Sequence, residues 1–230
     1  MKYLIALVAG VAAGAGLFLI GLAYNPMMSK SGMSPLASSD APTLSLAYPA
    51  VATDSLMYTN SGDDRTRPYP ERIKQLWEAP ISQTEAAAMI LRDRQDDVAG
   101  IGVKISSAAE STRLFEGKAL RNSVWYVYLP GRGTLFVEQT ENYWDYLRDV
   151  VLPAYRSSSG TWKGVWTGVI THGPTESGLA RVVGGSGDFA GVETFGVESL
   201  SVRTWRDTSG PLAAEGQLTI ELPGSYAAND

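Results

Sequence analysis

The sequence has no cysteine and a single histidine among its 230 residues, and its basic residues are scattered rather than clustered. The lack of thiols excludes disulfide bonds, thiolate catalysis and cysteine-ligated zinc. With 19 Lys and Arg against 24 Asp and Glu, the net charge is −5, and no basic stripe is present that would neutralise nucleic-acid phosphates. A nucleic-acid-binding role is therefore disfavoured.

The rest of the composition is that of a β-rich globular protein. Hydrophobic residues make up 44% and charged residues 19%, which fits neither a disordered chain nor a multi-span membrane protein. The length accommodates one globular domain with attachments. The 24 glycines and the 10% of aromatic residues predict strands joined by tight turns.

An uncharged apolar run covers residues 3–23. At about 1.5 Å per helical residue, a run of this length reaches across a hydrocarbon core of about 30 Å. The alternative is a cleaved signal peptide, because Gly21 and Ala23 are small residues of the kind that signal peptidase requires. We favour a retained membrane anchor over residues 1–24, since a signal h-region usually has about 7–15 residues. In both cases we expect the bulk of the chain in the periplasm or outside the cell.

Gly10 and Gly14 form a G-x-x-x-G pair within this run, which would let a partner helix approach closely. Small residues are equally common in membrane helices and signal peptides that have no such partner. A helix partner is therefore the less favoured interpretation.

Three further segments follow the anchor. Residues 25–67 have the Ser-, Pro- and Met-rich composition of a linker, residues 68–100 read as a helical segment, and residues 101–230 read as an antiparallel β-barrel domain. The apolar residues of the segment 43–59 would let part of the linker lie on another surface.

Two helices are predicted in the segment 68–100. Apolar residues at i, i+3 and i+4 from Ile73 predict the first, and Ser82 with Glu85 forms a capping box at the start of the second. The alternating charges of residues 92–97 indicate a solvated helix end rather than a metal site, because opposite charges neutralise one another.

The C-terminal half shows short strands separated by turns. One helix interrupts them over residues 141–155, and we expect it to end at Pro153. Alternation is clearest at the last strand, whose even positions from Gly216 to Leu222 should be buried. This spacing predicts a closed antiparallel barrel or a sandwich. The strands are predicted at residues 123–129, 134–139, 161–171, 178–184, 193–205 and 215–223.

In the strand at 161–171, tryptophans alternate with glycines. This pattern predicts that the rings of Trp162 and Trp166 fold over neighbouring glycines on a curved wall. The rings either line a ligand cavity or fill the interior, and plain packing is favoured because small barrels fill their interiors with side chains.

The stretch "ARVVGGSGDFAG", residues 180–191, comes close to a nucleotide-binding loop. No helical pattern follows it and no Lys-Ser/Thr pair ends it, so nucleotide binding is disfavoured. Ser186, His172 and Asp188 could form a catalytic triad by residue type alone, but a lone histidine in a turn is far more often structural.

The same stretch resembles the glycine turn of the allene oxide cyclase and dirigent families, in which two valine-like residues run into G-G-(S/T)-G-x-F-x-G. The matching residues are Val182, Val183, Gly184, Gly185, Ser186, Gly187, Phe189 and Gly191. The resemblance covers roughly residues 120–222, and the step from Gly191 to Gly196 is longer than is usual there. It implies an eight-stranded antiparallel barrel, often trimeric, that can hold an apolar cavity. In such a barrel the glycines would form a tight corner and Phe189 would plug the barrel end. It carries over no activity.

No catalytic set, metal site or cofactor site is recognisable, so our first functional hypothesis is a non-enzymatic, membrane-anchored accessory or binding module. An alternative is a carrier or a cyclase- or isomerase-like enzyme for a small apolar ligand, and a further alternative is an accessory subunit of a larger membrane complex. Assembly into a homo-oligomer is a further possibility that the sequence leaves undecided. For the ligand-handling alternative the candidate binding residues are Trp162, Trp166, Arg181, Arg203 and Glu138. The competing interpretation, which we favour, is that the last three side chains point to solvent.

Overall fold

The structure is a computed structural model that describes residues 3, 10–18, 42–51 and 84–223. The helix expected from Ile73 lies outside these residues, as does most of the expected linker. From residue 42 onward the described part is mainly β, with two short α-helices. Its strands are β1 (Thr43–Pro49), β2 (Thr84–Arg92), β3 (Val98–Ala108), β4 (Leu120–Leu129), β5 (Gly133–Asn142), β6 (Thr161–Val169), β7 (Thr171–Gly173), β8 (Ala180–Gly187), β9 (Glu193–Arg206) and β10 (Gly210–Glu221).

Eight of these strands pair in a ring. The order runs β1-β2-β3-β4-β5-β8-β9-β10, and β10 returns to β1. The strands β6 and β7 stand off this ring, on β9 and β5 respectively. Each pairing between these strands is antiparallel. The prediction of an antiparallel β fold is confirmed at this level.

Alternating residues fill one end of the ring. In β4, Trp125 and Val127 are fully buried while their neighbours face outward, and the hairpin expected between β4 and β5 is present. In β10, Leu218 and Ile220 are buried as the alternation predicted. Phe189 joins this core fully buried and lies against Gly184, near the end where β4 finishes.

A helical segment lies at the other side of the ring. It consists of α1 (Trp144–Tyr146), a π-helical turn (Leu147–Val151) and α2 (Leu152–Arg156). The expectation that Pro153 ends the helix is wrong. Pro153 stands in the first turn of α2, where its missing N–H would have no intrahelical partner in any case, and the helix continues to Arg156.

The second helix expected in the segment 68–100 is also wrong where the structure describes it, because Thr84–Arg92 is the strand β2. The Ala-rich sequence has high helix propensity, but pairing along all of β3 and burial of Met89 and Leu91 override it. The charged run forms the following turn instead of a helix end: Asp93 Oδ1 accepts the N–H groups of Gln95 and Asp97 at 2.9 Å.

The described part of the expected linker, residues 42–51, contains one strand. β1 pairs with β10 from Thr43↔Glu221 to Pro49↔Glu215, and it buries Leu46 and Tyr48. The joint between β1 and β2 is much smaller, with the single residue pair Ala47↔Arg92.

Residues 10–18 are helical. Within the described residues, no helix has both the length and the apolar character needed to cross a membrane. The other residues of the predicted 3–23 span, apart from Tyr3, lie outside the description.

Candidate functional site

A cavity of about 580 Å³ opens at the end of the ring opposite Phe189. Leu120 and Tyr143 line it, which places it where β4 begins and β5 ends. Much of its wall is apolar and comes from the ring, the loop before β4 and the π-helical turn. The wall includes Leu120, Leu147, Ile170, Leu200, Val202 and Ala214.

Beneath this cavity two carboxylates are fully buried. Glu141 belongs to the inward row of β5 and Glu198 to that of β9, and neither residue has any exposed surface. The ammonium of Lys104, on β3, lies 2.6 Å from Oε1 of each carboxylate. This arrangement of one ammonium and two carboxylates is the ionic cluster.

Glu198 has a complete set of donors. Besides Lys104, its carboxylate accepts a hydrogen bond from Trp125 Nε1 at 3.0 Å, and others from the Tyr48 hydroxyl and Gln139 Nε2. Four donors from four strands thus stabilise the ionised form of this carboxylate.

Glu141 is less well satisfied. Its Oε1 accepts from Ser123 Oγ at 2.7 Å and Gln139 Nε2 at 2.9 Å as well as from Lys104. Its buried Oε2 has no partner of normal hydrogen-bond geometry among the described residues. Tyr143 interacts with this carboxylate and also lines the cavity, so it connects the cluster to the space above.

Thr171 fixes the amide between the two carboxylates. Its hydroxyl donates to Gln139 Oε1 at 2.8 Å and accepts the Glu198 backbone N–H at 2.7 Å. With its oxygen held this way, the Gln139 amide presents its NH₂ group to both Glu141 and Glu198.

The surroundings shift the pKa values of the two carboxylates in opposite directions. Burial acts to raise the pKa of Glu198, but the charge of the adjacent Lys104 ammonium and the hydrogen bonds from Lys104, Tyr48 and Trp125 together hold this pKa below its usual range. Burial and the charge of Glu198 together raise the pKa of Glu141. Burial acts to lower the pKa of Lys104, but electrostatic interactions with Glu198, Tyr48, Tyr143 and Glu141 together raise it. The stable charge state is therefore an ionised Lys104–Glu198 pair, with Glu141 the carboxyl that takes up a proton first.

Lys104 has a donor to spare. An ammonium group carries three N–H donors, and two of them are matched by the carboxylates described above. Its side chain is 12% exposed and lines the cavity. Because both carboxylates are fully buried, Lys104 is the member of the cluster that a molecule in the cavity can contact.

The phenols around the cavity are held neutral. Burial raises the pKa of Tyr146 to about 12, and burial followed by the charge of Glu198 raises the pKa of Tyr48. Burial also raises the pKa of Tyr143. At neutral pH these hydroxyls act as hydrogen-bond donors and acceptors, not as phenolates.

An arginine stands at the mouth. Arg121 shares the inward row of β4 with Ser123 and Trp125, and its Nη2 donates to Glu85 at 2.7 Å and to Ser106 at 3.1 Å. Its Nε–H is buried and has no acceptor in the described part of the chain.

Three of the residues selected from the sequence lie elsewhere. Glu138, Arg181 and Arg203 are exposed on the outer face, where Glu138 is the register partner of Arg181. The interpretation that these three face solvent is the one that the structure supports.

The rings of Trp162 and Trp166 cover Gly164 and Gly168, as the pattern predicted. A Cβ on either glycine would lie 2.8 Å from the indole. The two tryptophans pack against the cluster around Val202 and are not among the cavity-lining residues, so they act in packing.

The cluster could have been found by strand parity. Leu135 and Val137 predict the inward row of β5, and continuing that row by twos reaches Gln139 and Glu141, whereas Glu138 has the wrong parity. In the same way Glu198 shares the parity of Leu200 and Val202 in β9.

The glycine stretch serves the backbone. Its amides at Gly184, Asp188 and Phe189 donate to the carbonyls of Val192, Arg132 and Ser186, which leaves these donors occupied rather than open to a phosphate. Positive φ values at Gly187 (63°) and Gly191 (75°) confirm the tight corner.

The catalytic triad does not form. Ser186 pairs with Thr134 at one end of β5, whereas Thr171, next to His172, pairs with Glu141 at the other end. At about 3.3 Å per residue, these levels are roughly 23 Å apart.

Comparison with known proteins gives no relative: neither a scan against protein-family models nor a search of curated proteins finds a match. Among the described residues, no group of three or more Asp, Glu or His is placed to hold a metal ion.

Proposed function

We propose that this chain binds a small, mainly apolar molecule in the cavity and holds an oxygen of that molecule against Lys104. The observation that carries this proposal is a cavity of about 580 Å³ whose apolar wall ends on a buried ionic cluster. Ligand sites commonly have about 300–1,000 Å³ and combine apolar walls with a few convergent polar groups. A protein that needed only a filled interior would gain stability by replacing the cluster with apolar side chains.

A second candidate is an enzyme that moves a proton within the bound molecule, as a cyclase or isomerase does. Glu141 favours it, because its raised pKa makes it the carboxyl of the cluster that takes up a proton first, and Tyr143 links it to the cavity. The Glu141→Gln variant separates the two functions: a carrier keeps both binding and release, whereas an enzyme keeps binding and loses turnover of the bound compound.

The test of binding is to purify the full chain from its native membrane or medium and identify small molecules released on denaturation by mass spectrometry. The Ala214→Phe variant places a ring in the cavity and should abolish the released compound. The matched control, Ala190→Phe, adds the same ring at an exposed turn and should leave the compound in place. Two results would contradict the proposal. One is release of equal amounts of the compound from both variants, and the other is release of no small molecule from the unmodified chain.

We also propose that the ring is an antiparallel barrel related to the allene oxide cyclase and dirigent barrels. The support is a closed order of eight strands together with the glycine corner and its buried Phe189. Within this proposal the ligand-handling role is preferred over a purely structural accessory role, because the interior is filled at one end and hollow at the other.

For location, we propose that residues 3–23 anchor an exported domain. The support is the uncharged apolar run, which is long enough to cross a bilayer as a helix. Alkaline extraction of membranes tests the anchor: recovery of the whole chain in the soluble fraction would contradict it.

A further inference from the structure

The outer face of three neighbouring strands is rich in exposed apolar side chains. On β3, β4 and β5 the outward side chains lie in three registered rows, and one of the nine positions is charged. We call these nine residues the outer patch. The outer patch comprises Ile101, Val103, Ile105, Val124, Tyr126, Tyr128, Thr134, Phe136 and Glu138.

The exposed area of the outer patch is large. Six of its apolar residues are each between 36% and 49% exposed. With about 200 Å² of surface for a side chain of this size, the six present roughly 500 Å² on one molecule. An apolar patch of this size on a single molecule is often an interaction site. The six residues are Ile101, Ile105, Val124, Tyr126, Tyr128 and Phe136.

An aromatic pair stands at the centre of the outer patch. Tyr126 and Phe136 are register partners, their ring centroids are 5.3 Å apart and their planes are tilted by 55°. The residues beside them in sequence, Trp125 and Val137, are fully buried and fix both strands to the core. Aromatic side chains lose little conformational entropy on binding and are enriched at protein interfaces. The centre of the patch therefore has the composition of an interface.

The strand register makes the outer patch complementary to itself. A two-fold rotation about an axis that crosses the strands at the level of Tyr126 exchanges the rows on either side of it. Val124 then lies opposite the second copy's Tyr128, so apolar surface meets apolar surface. Glu138 lies opposite the second copy's Thr134, whose hydroxyl can donate to it, so like charges do not meet within the patch.

We propose that two copies of this chain associate through the outer patch as a two-fold dimer. Two patches in contact bury roughly 1,000 Å² in total, which is the lower limit for a specific interface. The residues of the patch are not among those that line the cavity, so the dimer leaves the cavity accessible. This inference goes beyond the binding function proposed above and does not depend on it.

The experiment is thiol crosslinking of the full chain in its native membrane or medium. Because the sequence has no cysteine, a single introduced thiol reports on its own neighbour. Packed sheets lie about 10 Å apart, so a bismaleimide of about that reach should join Tyr126→Cys of one copy to the same residue of the other. Most of the chain should then run at twice the monomer mass on a denaturing gel. Arg203→Cys, exposed on β9 outside the patch, is the control and should stay monomeric.

A second pair of variants tests the position of the axis. In a dimer of Val124→Cys alone, or of Tyr128→Cys alone, the two thiols are offset by about 13 Å along the strands, because these positions are four residues apart. A dimer that contains one copy of each variant places the two thiols opposite each other. Differently tagged copies of the two variants should therefore crosslink when they are produced together, and neither variant should crosslink when it is produced alone.

A charge at the centre should separate the copies. In the Tyr126→Cys background, Phe136→Lys places two ammonium groups opposite each other at the axis and should abolish the crosslinked product. Phe195→Lys is the matched control, because Phe195 is equally exposed (44% against 43%) but lies outside the patch, on β9. It should preserve the product.

Three results would overturn the two-fold dimer. If Tyr126→Cys stays monomeric, the patch is covered by another part of the chain, by a membrane surface or by a three-fold contact that joins unlike positions. If Arg203→Cys gives as much product as Tyr126→Cys, the crosslinks arise from random collision. If Tyr126→Cys is joined to a different protein, the patch belongs to that partner. The mixed Val124→Cys and Tyr128→Cys experiment contains no charged variant, so it decides the proposal even if Phe136→Lys does not fold.

Discussion

Replacing Lys104 by Met is the most direct test of the ionic cluster. The substitution keeps an unbranched apolar stem and removes a positive charge that contacts both Glu141 and Glu198. Both carboxylates would then be fully buried without a counter-charge. Breaking a buried ion pair from one side costs about 3–5 kcal/mol, so we expect the free energy of unfolding at pH 7 to fall by about that amount.

The sign of the pH dependence follows from the pKa directions. In the unmodified chain the pKa of Glu198 is held low by Lys104, so its contribution is present above the unfolded-state pKa of about 4.3 and is lost as the pH falls. Without Lys104, burial raises the pKa of Glu198 as well, and the carboxyl protonates on mild acidification. The stability deficit of Lys104→Met should therefore shrink as the pH falls from about 8 to about 5.

Urea unfolding followed by tryptophan fluorescence at several pH values measures this deficit. The double variant Lys104→Met/Glu198→Gln should recover most of the lost unfolding free energy. It removes the unpaired negative charge of Glu198 and, with it, the repulsion that raises the pKa of Glu141. Lys163→Met, at an exposed position, is the control and should change stability by less than about 0.5 kcal/mol. A deficit below about 1 kcal/mol, or one that is the same at every pH, would refute the reasoning.

Two further predictions concern the corner and the second carboxylate. Gly184→Ala should lower the free energy of unfolding by about 3 kcal/mol, because its Cβ would lie 1.6 Å from the Phe189 carbonyl oxygen. The control Gly131→Ala, which has open space around it and a φ of 77°, should lower it by about 1 kcal/mol. Equal urea midpoints for the two variants would contradict this prediction. Glu141→Gln should gain stability relative to the unmodified chain as the pH rises from about 4 to 7, because the raised pKa of Glu141 makes its ionisation costly in the fold. A pH-independent difference in unfolding free energy would show that Glu141 is not the group that titrates.

Local pattern was sufficient for the strands that alternate clearly. The β4–β5 hairpin and β10 could be predicted because their inward rows are apolar over several residues and their turns are rich in glycine. β2 could not, since Ala-rich sequence favours a helix and the preference for a strand comes from β3 beside it. β1 could not be predicted either, because it is short, follows a linker-like stretch and pairs with β10, which is remote in sequence.

The candidate site was harder to predict for a related reason. Residues that interrupt an apolar run were selected without regard to side-chain parity, which led to Glu138 in place of Gln139 and Glu141. The inward parity of Glu198 could be read from β9, but its pairing with Lys104 could not, because β3 and β9 are not adjacent in the sheet. Only the closed ring brings them face to face.

That closure has a consequence for biosynthesis. β1 finds its hydrogen-bond partners on β10, so the ring stays open until residues up to Glu221 have left the ribosome. Until then Tyr48 cannot reach Glu198, and the charged side chains that later lie in the interior remain hydrated. Pairings between such distant strands make folding slow, so the nascent chain passes through a period as an open, curved sheet with its apolar inner surface accessible to chaperones.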